Sequence, residues 1–206
     1  MDDVRGLKEL QLDALREVAN IGAGHAATAL SQMTGRTIMI SVPEVNVRPL
    51  EEVADLLGPP DQVVAAVLMQ MMGDLTGRTL ILFPDHSARH LCDTLLGRAD
   101  GATTEFGPME QSGLKEVGNI LVSAYMNALS DFMGMMLVPS VPSLEIDQSA
   151  AVLTSAYLNF GHERDFVFCV ETAFEVGGER ARLQGHFLLL PDLPSLRAIL
   201  DAIRLP

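Results

Sequence analysis

The chain is written twice. Asp13, Glu17 and Asn20 recur 99 residues later as Ser112, Glu116 and Asn119, and their surroundings follow: Leu15-Arg16-Glu17-Val18-Ala19-Asn20-Ile21 is answered by Leu114-Lys115-Glu116-Val117-Gly118-Asn119-Ile120. Pro43 and Pro142 keep the same spacing, and each is preceded by Ser-Val. A repeat this long restricts the fold to two similar halves, about 1–104 and 105–206. With 206 residues in all, two independent cores would be small. One domain over 1–206 with a shared core is the expected solution.

Each copy carries the same secondary-structure signals. Leu7 to Met33 and Met109 to Phe132 have apolar residues at helical spacing, and the helices are predicted to stop at Gly35 and Gly134. Short strands follow over Thr37 to Val42 and Met135 to Val138, closing at the Ser-Val-Pro elements. Leu50 to Leu57 and Ser149 to Phe160 read as short helices. Val63 to Met71 with Arg78 to Phe83, and Phe166 to Val176 with Arg182 to Leu190, read as hairpins around Gly73-Asp74, Gly77 and Gly177-Gly178. A last helix follows Pro84-Asp85 and Pro191-Asp192. The expected unit is therefore helix, strand, helix, two strands, helix. Doubled, it gives an α/β (α+β) fold whose antiparallel-containing sheet is shared across a pseudo-two-fold axis, with flanking helices.

Composition narrows the partners. Fourteen basic residues against 27 acidic ones give a formal net charge of -13, which repels nucleic acid and anionic lipid alike. There is no Trp and there are only two Tyr to stack on bases. The Met1-Asp2-Asp3 start lacks the basic and apolar segments of a secretion signal. The longest apolar run, Val63 to Met72, falls short of the ~20 residues a spanning helix requires. No membrane insertion and a cytoplasmic location are expected, and Cys92 and Cys169, isolated and without ligand spacing, fit a reducing compartment.

Residues three and four apart on a helix share a face. Asp13, Glu17, Asn20 and Gly24 therefore form one strip, and Ser112, Glu116, Asn119 and Ser123 its twin. Each borders an apolar stripe, through Leu10, Val18 and Ile21 in one helix and Val117, Ile120 and Ala124 in the other. A single Glu/Asn pair would be an ordinary solvated face. Two at the same helical phase, each with a proline at the same distance, point to chemistry. Gly22, Gly24 and Gly118 beside them each weaken a helix interior by about 1 kcal/mol relative to Ala, so close approach of the sister helix or of another protein is expected there. A carboxylate can pair with a lysine or act as a base, and a carboxamide can orient a water. Neither is a nucleophile of the Cys or Ser-His kind. The fitting task is to help a water attack a group that is already reactive, such as an acyl phosphate.

The pattern Asp or Ser, x3, Glu, x2, Asn, x22, Pro resembles the signature of the CheC, CheX and FliY chemotaxis phosphatases. It is met twice, by Asp13, Glu17, Asn20, Pro43 and by Ser112, Glu116, Asn119, Pro142. Asn20-Ile21-Gly22-Ala23-Gly24 is similar to the family's text as well, while His25 departs from it. Two intact motifs fit CheC or FliY better than CheX, and the lack of a further C-terminal flagellar-switch domain fits CheC. The resemblance implies a hydrolase acting on the aspartyl phosphate of a CheY-like response regulator. It casts Glu17 and Glu116 as partners of the regulator's lysine and Asn20 and Asn119 as water-orienting catalytic residues, with Asp13, Pro43, Ser112 and Pro142 in support. No metal is assigned to this chain, and Mg2+ is expected on the regulator. The resemblance also implies a partner, the receptor deamidase CheD, placed here on the helix near Ser149 to Phe160. The alternative is a non-catalytic adaptor that sequesters the phosphorylated regulator or regulates CheD.

Three other features have plainer explanations. Gly22-x-Gly24-x-x-Ala27 lacks the preceding strand of a dinucleotide loop. His86 and His90 stand at metal-binding spacing beside Cys92, but no acidic third ligand is evident and Asp85 suits a helix cap. Met69 to Met72 and Met133 to Met136 are expected to fill the core.

Overall fold

The computed structural model describes residues 9–41, 43–53, 59–158, 166–176 and 182–203. The first half runs α1 (Glu9–Thr34), β1 (Ile38–Ile40), β2 (Glu44–Pro49), α2 (Leu50–Val53), β3 (Val63–Gly73), β4 (Gly77–Pro84) and α3 (Asp85–Leu95). The second runs α4 (Pro108–Met133), β5 (Leu137–Pro139), β6 (Ser143–Gln148), α5 (Ser149–Leu158), β7 (Phe166–Val176), β8 (Arg182–Pro191) and α6 (Leu193–Ala202). Both long helices stop where expected. Gly35 and Gly134 take φ of 66° and 64°, a left-handed turn that glycine enters without a Cβ clash. The expected starts at Leu7, the helix beyond Val53, the end of α5 at Phe160 and the Gly177-Gly178 turn lie outside the described residues.

Each half holds one strand more than the predicted unit. β2 and β6 follow the Ser-Val-Pro elements, and the register shows why a single strand cannot continue. Pro139 faces Met71 and Ser143 faces Leu68, so three edge residues stand opposite two. Ile40 facing Phe174 and Glu44 facing Glu171 make the same step. This is a β-bulge, and serine holds it open. Ser140 donates its amide to the Gln70 carbonyl and accepts the Gln70 amide on its hydroxyl, both at 2.9 Å. Ser41 treats Ala173 likewise, at 2.9 and 3.1 Å. Proline, with no N–H, follows where the ladder is already interrupted.

All strands join one antiparallel sheet in the order β1-β7-β8-β4-β3-β5, with β2 on β7 and β6 on β3. Exchanging the halves leaves that order unchanged. β4 and β8 meet at the centre, Leu80 opposite Leu188, and the short strands cross over: β1 and β2 pair with the second half's hairpin, β5 and β6 with the first half's. Each half completes the other's sheet. Serine repeats the exchange at the final helices, where the Ser87 hydroxyl accepts the Gln184 amide at 3.2 Å and the Ser195 hydroxyl accepts the Thr76 amide at 2.8 Å. The connection between the halves is also pinned. Buried Asp93 accepts from the Gly101 and Ala102 amides and from the Thr103 hydroxyl at 2.8, 3.1 and 2.6 Å, while Arg98 pairs with Glu110 at 2.6 Å.

Helices α1, α3, α4 and α6 cover one face of the sheet over a core that includes Leu30, Met71, Phe83, Leu121, Met126 and Phe174. On the other face Val53, Val152, Leu153 and Ala156 close over Val64, Ala66, Leu82 and Leu188. The Val63 to Met72 run is thus an inner strand with core on both faces, and among the described residues no helix is long and apolar enough to cross a membrane. The methionines split: on β3 strand alternation turns Met72 outward from Met69 and Met71, and Met136 lies just before β5. Met69 and Met71 are buried, whereas Met72 and Met136, expected in the core, are 41% and 63% exposed.

Candidate functional site

The two polar strips ride on the outer faces of α1 and α4, whose inner faces bury Leu15, Val18, Ala23 and Ala26, and Leu114, Val117, Leu121 and Val122. Asp13, Glu17, Asn20 and Gly24 are all exposed on α1. On α4, Ser112 and Glu116 are exposed, and Asn119 and Ser123 half-buried. The second strip therefore sinks toward the protein at its C-terminal end while the first stays proud. Asp13 is tied to Arg16 at 2.7 Å in an exposed i,i+3 pair. Among the described residues, no hydrogen bond or ion pair engages the side chains of Glu17, Asn20, Glu116 or Asn119. Helical geometry brings each Glu/Asn pair together, with Cβ atoms about 5–6 Å apart. Pro43, buried, and Pro142, half-buried, stand at the bulges rather than on the strips.

The three glycines have different surroundings. A Cβ on Gly22 would lie 2.6 Å from Tyr125 Cδ1 and 3.0 Å from Tyr125 Cα, so here the sister helix makes the close approach. On Gly118 it would lie 2.5 Å from Val67 Cγ1, which places strand β3, neither of the expected neighbours, against α4. On Gly24 it would meet nothing within 4 Å. The apolar border also needs one correction: Ile21 is 45% exposed beside Asn20, because helix packing rotates it past the edge of the buried stripe.

The other sequence features divide once their contacts are known. His86 Nε2 lies 3.2 Å from the Ser87 hydroxyl, and His90 Nδ1 lies 2.6 Å from Asp100. An acidic neighbour is thus present where none was evident, yet among the described residues no three His, Cys, Asp or Glu side chains gather to hold a metal. Asp85 is not a cap. It grips Arg89 through two bonds of 2.7 and 2.9 Å, and Arg89 also covers the Phe106 ring. Burial pushes both the Cys92 and Cys169 thiols up to about 12, which removes them as thiolate nucleophiles. Gly22-x-Gly24-x-x-Ala27 lies within α1, and among the described residues no strand precedes it.

The chain has relatives among known proteins. The CheC-like family model matches residues 10–47 and 109–146, two segments related by the internal repeat. The chain is 34% identical to the CheY-P phosphatase CheC of Bacillus subtilis (strain 168) over 205 residues, 98% of each chain. It is 26% identical to the flagellar motor switch phosphatase FliY of the same organism over 145 residues, 70% of this chain and 38% of that one. The crystal structure of Thermotoga maritima FliY superposes with a TM-score of 0.80 at 21% identity, covering 96% of this chain and 98% of the other.

Proposed function

This chain belongs to the CheC-like family, and we propose that it is a phosphatase that accelerates hydrolysis of the aspartyl phosphate on a CheY-like response regulator. The observation that carries this reading is that Glu17, Asn20, Glu116 and Asn119 line the polar strips of α1 and α4 with side chains engaged by no other described residue. Such groups are free to act on another protein. In this reading Glu17 and Glu116 pair with a lysine beside the regulator's phosphoaspartate and set the register of the complex. Asn20 and Asn119 enter the phosphorylation site, where the carboxamide oxygen accepts a hydrogen from a water and holds it in line with phosphorus. The water oxygen bonds to phosphorus as the bond to the aspartyl oxygen breaks, yielding a carboxylate and inorganic phosphate. The leaving carboxylate needs no proton, so a positioned water can suffice without a nucleophile on this chain. Mg2+ belongs to the regulator and supplies charge neutralisation there.

Asp13 and Ser112 open the strips, and Pro43 and Pro142 stand at the bulges between β1 and β2 and between β5 and β6. A deamidase of the CheD type would meet the outer face of α5, where Ala150, Ala151 and Thr154 are exposed. The protein would act in the cytoplasm, where response regulators are phosphorylated. The test is decay of a radiolabelled phospho-regulator with the wild type and with the Asn20→Ala/Asn119→Ala double variant. The double variant should retain its circular dichroism spectrum and lose all stimulation; full stimulation by it would refute the assignment.

A further inference from the structure

Gly24 is a helix-interior glycine with no internal reason to be one. It lies in the middle of α1, ten residues before Thr34, so it caps nothing. It is absent from the residues with positive φ, so no left-handed turn requires it. A Cβ there would meet no atom within 4 Å, so no packing neighbour excludes a side chain. Gly22, two residues earlier and pressed against Tyr125, shows what an internal reason looks like. Gly24 nevertheless weakens the helix relative to alanine. Its carbonyl also accepts the Thr28 hydroxyl at 3.0 Å.

Its position supplies the reason. Gly24 is one turn beyond Asn20 on the same strip, and both residues are exposed. We infer that Gly24 is kept bare so that the phosphorylation-site surface of the response regulator can close on α1 beside Asn20, making it a specificity-determining position of the first site. The inference rests on the phosphatase reading above. The twin position explains why a side chain is tolerated there. Ser123 and Asn119 are half-buried, so the serine lies low against the protein. At the first site the strip stands proud over its full length, and even a methyl group would project into the path of a protein seating on Asn20. The two sites thus present different surfaces to the regulator despite their shared Glu and Asn.

The test isolates the first site in an Asn119→Ala background and compares Gly24 with Gly24→Ala and Gly24→Leu. Alanine should raise the melting temperature by about 2–4 °C, since it removes a helix-breaking residue without a clash. The same change should raise KM for the phospho-regulator about tenfold or more with a much smaller effect on kcat, and leucine should remove measurable saturation. An unchanged KM in the Gly24→Ala protein, with the melting temperature raised, would overturn the inference while leaving the phosphatase reading intact. So would a first site that shows no rate with Gly24 in place. The phosphatase reading itself fails only if the wild type gives no stimulation or the double asparagine variant keeps it.

Discussion

The sharpest structural test uses a glycine on the same helix for which the opposite sign is expected. In Gly22→Ala the new Cβ would lie 2.6 Å from Tyr125 Cδ1 and 3.0 Å from Tyr125 Cα, well inside ordinary carbon contact. The ring cannot swing away freely. It stacks on Phe187 with centroids 4.8 Å apart, and its hydroxyl pairs with Thr172 at 3.2 Å in a buried position. Either that bond is lost or α1 and α4 move apart, and overpacking of this kind costs typically 1–3 kcal/mol. The helix gains about 1 kcal/mol from replacing glycine. A net loss of about 1 kcal/mol is expected, which for a chain of this size lowers the melting temperature by about 2–4 °C. Urea denaturation followed by circular dichroism measures it. Tyr125→Ala removes the ring contact and leaves the one to Cα, so Gly22→Ala in that background should cost less than in the wild type, with a coupling of about 1 kcal/mol across the cycle. Strictly additive effects would refute the claim that the Tyr125 ring is what disfavours a side chain at Gly22.

Other consequences can be checked in the same preparations. Ser87→Ala removes the partner of the Gln184 amide in β8 and Ser195→Ala that of the Thr76 amide just before β4, and each should destabilise by about 0.5–1.5 kcal/mol; no measurable change at both would argue against the exchange as a source of stability. Cys92 and Cys169 should stay unreactive toward an aromatic disulfide reagent at pH 8 and react together on unfolding, because burial pushes both thiols up to about 12. His186 is buried with Nδ1 lacking a hydrogen-bond partner among the described residues, and burial lowers its pKa despite Glu171 nearby. The unfolded chain therefore takes up the proton first, and the stability associated with neutral His186 is present above about pH 6.5 and lost as pH falls through the folded value. His186→Leu should flatten that part of the stability profile; an unchanged slope would place the titration elsewhere.

Much of the fold was legible because it was written twice. The long helices, their glycine stops and the hairpins stood out through repeated spacing, and the structure places each close to its predicted bounds. β2 and β6 were missed although Glu44-Val45-Asn46-Val47-Arg48 and Ser143-Leu144-Glu145-Ile146-Asp147 alternate as strands do. The preceding proline read as an end, when it marks a bulge after which pairing resumes one residue out of step. The crossing of short strands between halves is a matter of non-local pairing, which no window of sequence contains. The strips followed from helical phase alone. Their unequal exposure did not, since it depends on how α1 and α4 pack on the sheet, and Gly118 reads as a partner contact until β3 is placed beneath it. Asp85 looked like a cap because it follows Pro84. Arg89 one turn later competes for the same carboxylate and wins with two bonds.

The most direct measurement of the central claim is turnover: a phosphorylated CheY-like regulator in large excess, mixed with substoichiometric amounts of this protein, with release of inorganic phosphate followed in time. The account predicts that each molecule clears many equivalents of phospho-regulator, that Asn20→Ala and Asn119→Ala each remove one site's share, and that the double variant releases phosphate no faster than the regulator alone. Release that stops at one or two equivalents, or a regulator whose phosphate is protected in proportion to the protein added, would contradict catalysis and identify a sequestering adaptor instead.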